Sequence, residues 1–210
     1  MKNRNAVKLV GDVVSIEGTA VKLRTIQTRP SGSYEDIHVL EIPSQELCNG
    51  LKPKQKLELF GRLERADEPF STSIVADIAT VKKVGKSAGY ENVACIVGTV
   101  PFTATLRPPT ADGKMGLANL AIETGGKIFN GTAFRALAIV FGTVWTKGSV
   151  AQLMGRLRRR EFIDANGDER ASVEIVAEDQ NETRVLKAAV VADPFGDYGT
   201  EPSPEAAPAL

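Results

Sequence analysis

The side chains able to do chemistry are few, and their types narrow the field. His38 is the only histidine. That excludes multi-histidine metal centres and leaves histidine-based catalytic relays without support. The chain has no CxxC pair, no phosphate-binding GxxxxGK[ST] loop and no dinucleotide fingerprint. Asp164, Asp168 and Glu169 lie close together, but Asp164-Ala165-Asn166-Gly167-Asp168 has turn chemistry. It lacks the later glutamate and flanking helices of a calcium loop. Cys48 and Cys95 are widely separated and read as reduced, buried thiols, with Cys95 a packing residue in an apolar strand. The expectation is a non-enzymatic protein without metal or cofactor.

One stretch does concentrate usable groups, 147–177, KGSVAQLMGRLRRREFIDANGDERASVEIVA. It reads as two long strands joined at Asn166-Gly167-Asp168. Ala151, Leu153, Gly155 and Leu157 share one face at a strand's period of two. Gln152, Met154, Arg156, Arg158, Arg160 and Phe162 take the other, outward face. Gly155 and the strict alternation disfavour a helix over 151–162. Cations beside a flat ring suit a phosphate ladder and unstacked bases, where stacking is worth about 1–3 kcal/mol per base. Lys147, Arg135 and Lys127 extend such a track, and Phe134, Phe129 and Trp145 are further platforms. Each has a plainer reading. Exposed strand arginines also serve as solvated surface or edge protection. Trp145 either stacks on a base or plugs a barrel end. Phe129 can cover a hairpin, and Phe141 belongs to the core.

The elements that must position these residues occur twice. QKLELFGRL at 55–63 echoes SVAQLMGRL at 149–157, and SIVAD at 73–77 echoes EIVAE at 174–178. NAVKLVGDV at 5–13 echoes NVACIVGTV at 92–100, with Leu9 on Ile96 and Gly11 on Gly98. Three collinear echoes imply an internal duplication of about 90 residues. In the first copy, strands are expected at 5–14, 19–28, 34–43, 55–65 and 70–82. A short helix capped by Ser44 precedes the fourth. Five strands with that helix placement is the order of an OB-fold. In the second copy, strands are expected at 91–100, 115–124, 132–142, 149–162 and 170–179. Residues 105–114 form a Pro/Gly loop, and Gly142 to Gly148 leaves too little chain for a full helix. An additional strand or helix covers 185–191.

The fold class is therefore all-β, two tandem OB-fold barrels at 1–84 and 85–192. A Pro-rich, acidic tail at 193–210 is expected to be disordered. Net charge is zero over 210 residues, so any polyanion must be held by a local stripe. No apolar run suits a membrane span and the N-terminus has no signal-peptide pattern, which points to the cytoplasm.

The second copy resembles the bacterial single-stranded DNA-binding proteins. The matching residues are IVG at 96–98, LAIET at 120–124, AFRALAIVFG at 133–142, KGSV at 147–150, GRLRRREF at 155–162 and DANGDERASVEIVA at 164–177. The resemblance implies OB-folds that coat single-stranded DNA without sequence preference in replication, recombination or repair. It also implies four folds per assembly, hence a homodimer of a tandem member, in a bacterial or phage-infected cell. Family members recruit replication and repair proteins through an acidic tail, and Asp193 to Asp197 has related chemistry here. Where the family places Trp, this chain has Phe134 and Phe162.

In the first copy, Phe60 and Arg62 occupy the positions of Met154 and Arg156, with Lys22, Arg24 and Tyr34 nearby. Glu58 and Glu64 share that face, so this copy is expected to bind less strongly or to serve assembly. The rival reading is an OB-fold adaptor of a replication complex that lacks a strong DNA site. A positive groove favours the first reading and an apolar patch the second. RNA is a variant of the first, because a stacking platform accepts any base.

Overall fold

A computed structural model describes residues 4–29, 32–42, 44–65, 74–109, 116–163 and 166–189. The first half runs β1 (Arg4–Glu17), β2 (Ala20–Arg29), β3 (Gly32–Glu41), α1 (Gln45–Cys48), β4 (Lys56–Arg65) and β5 (Ile74–Val84). The second runs β6 (Glu91–Thr99), β7 (Thr105–Arg107), β8 (Leu117–Thr124), β9 (Lys127–Phe134) and α2 (Ala136–Val144). It ends with β10 (Val150–Ile163), β11 (Glu169–Ala177) and β12 (Arg184–Lys187).

Each half closes on itself. The order β1-β2-β3-β5-β4 returns to β1 through the β1–β4 ladder. The order β6-β8-β9-β11-β10 returns to β6 through the β10–β6 ladder. In both rings the third and fifth strands run parallel and the remaining ladders are antiparallel. Two five-stranded rings of this order are tandem OB-folds. Val7, Leu9, Leu23, Leu57 and Leu59 are buried in the first barrel, and Ile96, Leu120, Ile122, Leu153 and Ile175 in the second.

The barrels are joined edge to edge by antiparallel pairing of β1 with β6. The repeat that sets Leu9 on Ile96 also sets Val7 on Ala94, and in this ladder Val7 faces Ala94. A residue facing its own counterpart in an antiparallel ladder marks a local two-fold axis. The joint is therefore an isologous contact within one chain. A second device is duplicated with it. The Asn5 amide donates to the Leu63 carbonyl and accepts from the Leu63 N–H at 2.7 and 2.8 Å. Asn92 does the same at Leu157, at 2.9 Å in both directions. Each asparagine replaces a peptide group and satisfies a backbone unit of the fourth strand. Gly61 and Gly155, shared by the GRL echoes, sit where a Cβ would fall on the carbonyl oxygens of Asp77 and Val176.

Two expectations for the second half are corrected. The strand expected at 132–142 stops at Phe134, and a nine-residue helix, α2, takes the rest of that stretch and the first residues of the Gly142 to Gly148 connection, where no full helix was expected. Arg135 ends the strand with φ of 56° and turns the chain. Ala136, Leu137 and Ala138 then favour helix, and Gly142 lets α2 lie against Leu106. The apolar run alone could not separate strand from helix, because α2 buries Ala138 and Phe141 yet leaves Ile139, Val140 and Val144 exposed. The loop expected at 105–114 contributes the short strand β7, paired with β8. The open choice at 185–191 resolves as strand β12 on the edge of β10. The tail expected at 193–210 lies outside the described residues. Among the described residues no helix is long and apolar enough to cross a membrane.

Candidate nucleic-acid interface

β10 alternates as its sequence suggests, with Ala151, Leu153, Gly155 and Leu157 buried. Its outer face does not meet solvent uniformly. Near Arg156 it meets β3 of the first barrel, across a cleft of about 370 Å³. The cleft is lined by Tyr34, Phe134, Arg135, Leu137, Arg156, Arg158 and Glu178. Five of the residues singled out from sequence are thus brought together, from three strands and two barrels. The Arg156 guanidinium lies 5.7 Å from the Tyr34 ring centre, and that of Arg158 lies 4.9 Å from the Phe134 ring. Both are cation–π distances.

Arg156 is not the outward cation expected of it. It is only 9 % exposed. One of its terminal nitrogens donates to both carboxylate oxygens of Asp36, at 2.8 and 2.7 Å. Its Nε donates to Glu178 at 2.9 Å. Arg158 is held by Glu174, which also accepts from Thr132. Its charge is therefore partly spent, and the cleft is less positive than the sequence stripe implies. The outward face of a strand is solvent only where no second barrel covers it.

Behind Arg156 lies a polar cluster that the sequence did not reveal. The Asn92 Nδ2 lies 3.4 Å from Asp36 and 3.3 Å from His38 Nε2. Thr25 Oγ1 is 3.0 Å from the same His38 nitrogen. The Asn92 NH₂ commits one hydrogen to the Leu157 carbonyl, and its second lies among Thr25, Asp36 and His38 at 3.3–3.5 Å. Burial pushes the His38 pKa down to about 4, and Arg156 adds to this against the opposing charge of Asp36. Inward alternation of Thr25, Asp36 and His38 was a readable signal; its meaning depended on the facing barrel.

The remaining candidates scatter. Arg160 and Phe162 lie exposed toward the outer end of β10, Phe162 at 47 %. Trp145 is 0 % exposed, and its Nε1 donates to the Ala121 carbonyl at 2.9 Å. It packs edge-on to Phe141 at 6.0 Å and plugs the barrel, so it is not a stacking platform. Phe129, 1 % exposed, is core and not a platform either. Lys147 is exposed on the loop before β10. Lys127 pairs with Glu64 of the first barrel. Phe60 is 44 % exposed with the Lys8 ammonium 5.4 Å from its ring. Arg62 is tied to Asp77 at 2.9 Å and Glu64 at 3.1 Å. Arg24 pairs with Asp12 in a separate pocket.

No protein-family model and no curated protein sequence matches the chain. Solved structures do. The wild-type single-stranded DNA binding protein from Thermus aquaticus superposes with a TM-score of 0.70 at 18 % identity, covering 91 % of this chain and 97 % of that one. A deletion mutant of that protein gives 0.67 at 16 % identity, covering 91 % and 98 %. The chain has their fold. The superposition extends over nearly the whole length of both chains, so the likeness includes the tandem arrangement.

Proposed function

We propose that the protein binds single-stranded DNA without sequence preference and protects exposed strands in replication, recombination or repair. The observation that carries this is the inter-barrel cleft, where Tyr34 and Phe134 each lie beside an arginine. A ring flanked by a guanidinium offers a base one flat neighbour and a cation at its edge. The likeness to the Thermus protein supports the same reading. Arg135 borders the cleft, and Arg160 and Phe162 continue along β10 toward its outer end. Because Arg156 and Arg158 are already paired with carboxylates, stacking dominates at the cleft and phosphate attraction is secondary. The protein acts without catalysis in the cytoplasm, as a homodimer that supplies four barrels, with the tail at 193–210 recruiting partners.

The test is anisotropy of a labelled oligo-dT of roughly 30 nucleotides, long enough for two barrels at up to about 16 nucleotides each. Saturable binding at low salt, matched by oligo-dA and reduced by Phe134→Ala, is the expected result. Absence of binding at micromolar protein overturns it.

A second reading has its own observation. Ile139, Val140 and Val144 expose an apolar face of α2, an arrangement suited to protein contact. An adaptor of a replication complex would use that face and leave oligo-dT unbound.

A further inference from the structure

A second cavity carries more lining cations than the inter-barrel cleft. A separate pocket of about 500 Å³ lies between β1, β2, the loop before β4 and the 85–90 connection between the barrels. Its charged lining is Arg24, Lys54, Lys56 and Lys86 against one carboxylate, Asp12. Glu35, itself more than half exposed, reaches only the far side of Arg24, at 3.9 Å.

The cations are placed by the fold. Lys56 is buried, and its ammonium donates to the carbonyls of Ala88 at 2.8 Å and Lys86 at 3.4 Å. It also sits 3.7 Å from the Tyr90 ring centre, so it pins the connection against β4. Tyr90 donates to Asp12 at 2.6 Å, and Arg24 donates to the same oxygen at 3.2 Å. Burial opposes the Asp12 carboxylate, but those two hydrogen bonds and the nearby charges outweigh it and hold its pKa below the usual range. Asp12 thus stays charged and orients Tyr90 and Arg24, without cancelling the set.

Lys54 is the second observation. Its φ is 68°, a left-handed conformation in which glycine is unstrained and lysine is not. The Lys54 N–H, donating to the Val13 carbonyl at 2.8 Å, fixes that conformation. A cation held at a strained position on a pocket rim is a feature to explain by function.

From the charge set and the strained lysine, we infer that this pocket binds a phosphate group. Its own charges select the phosphate; only the carrier, a single-strand backbone, depends on the function proposed above. With Arg24 paired to Asp12 and Lys56 buried, exposed Lys54 and Lys86 supply the positive charge that the carboxylates of the cleft remove there. It also places a phosphate station on the first barrel, away from Phe60 and Arg62.

Amide NMR of the full chain tests this with two probes, pyrophosphate and oligo-dT. The comparison variant is Lys54→Gly with Lys86→Ala, which keeps the buried Lys56 and relieves the backbone strain. Both probes are expected to shift the amides of Lys54 and of residues 85–90 in the wild type. The double variant should lose these shifts while amides beside Phe134 still answer oligo-dT. Its salt slope for oligo-dT should fall by about 0.7 for each phosphate it no longer neutralises. Shifts with pyrophosphate alone, while oligo-dT moves only the cleft, make the pocket a free-phosphate site and refute the backbone as carrier. If oligo-dT moves neither region, the single-strand function fails and the pyrophosphate response still decides the pocket. No response to either probe at residues 85–90 overturns the inference.

Discussion

Arg62 and Arg156 occupy the same place in the two barrels. Each follows the shared glycine of its fourth strand, and each faces the fifth strand, at Asp77 and at Val176. Their environments are opposite. The Arg62 side chain is 63 % exposed and bridges two carboxylates of its own barrel. The Arg156 side chain is 10 % exposed and grips Asp36 of the other barrel. Glu41 faces Asp77 across one parallel ladder and Thr132 faces Val176 across the other. Counting back along the third strands, Asp36 corresponds to Lys127. One side of the two-fold therefore offers a carboxylate to its arginine, and the other offers a like charge. Lys127 turns instead to Glu64, the counterpart of Arg158. A duplicated frame thus keeps its backbone symmetry while swapped charges make one flank a buried lock and the other a solvated surface.

The largest expected effect sharpens that contrast. Asp36→Ala leaves a buried guanidinium with one partner fewer and should cost about 3 kcal/mol in denaturant unfolding. Asp77→Ala, beside exposed Arg62, should cost under about 1 kcal/mol. Equal losses would mean that the two flanks do not differ as described.

Acid should break the same lock. The His38 pKa of about 4 in the fold lies below its ordinary 6.5, so the folded state favours the neutral ring. The associated stability is fully present above pH 6.5 and is lost as pH falls toward 4. The limit is about 3 kcal/mol, from 1.36 kcal/mol per unit. Unfolding measured between pH 7 and 4 should lose this component in His38→Gln. Asn5 has no histidine against it, so Asn5→Ala should leave the pH dependence intact.

For binding, Phe134→Ala should weaken oligo-dT about tenfold, one stacked base's worth. Phe60→Ala on the solvated flank should stay within about twofold, read by anisotropy. The smallest effect expected is none. Trp145 is sealed in the second barrel, so saturating oligo-dT should leave its fluorescence unchanged, while a clear quench would place a strand at the end of that barrel.

Much of the frame is legible in the sequence because it is local and periodic. Alternation in β10 names its buried residues correctly, and the paired GRL echoes with the echo of NAVKLVGDV in NVACIVGTV mark the duplicated joint. The α2 stretch reads wrongly as strand because a wholly apolar run carries neither the strand nor the helix period clearly. Trp145 and Phe129 pass for platforms because an aromatic near a turn looks the same in sequence whether it faces a base or fills a barrel. The linker pocket is invisible at that level because its cations come from three separated segments.

The sequence by itself determined two copies of a five-stranded barrel, since glycine placement and period-two burial constrain each sheet from within. Which outward face becomes a surface was decided only by the tertiary structure. Alternation divides a strand into two sides, but the energy of a charged side chain depends on what lies beyond that side. For Arg62 it is water, and for Arg156 it is the carboxylate of Asp36 across the joint.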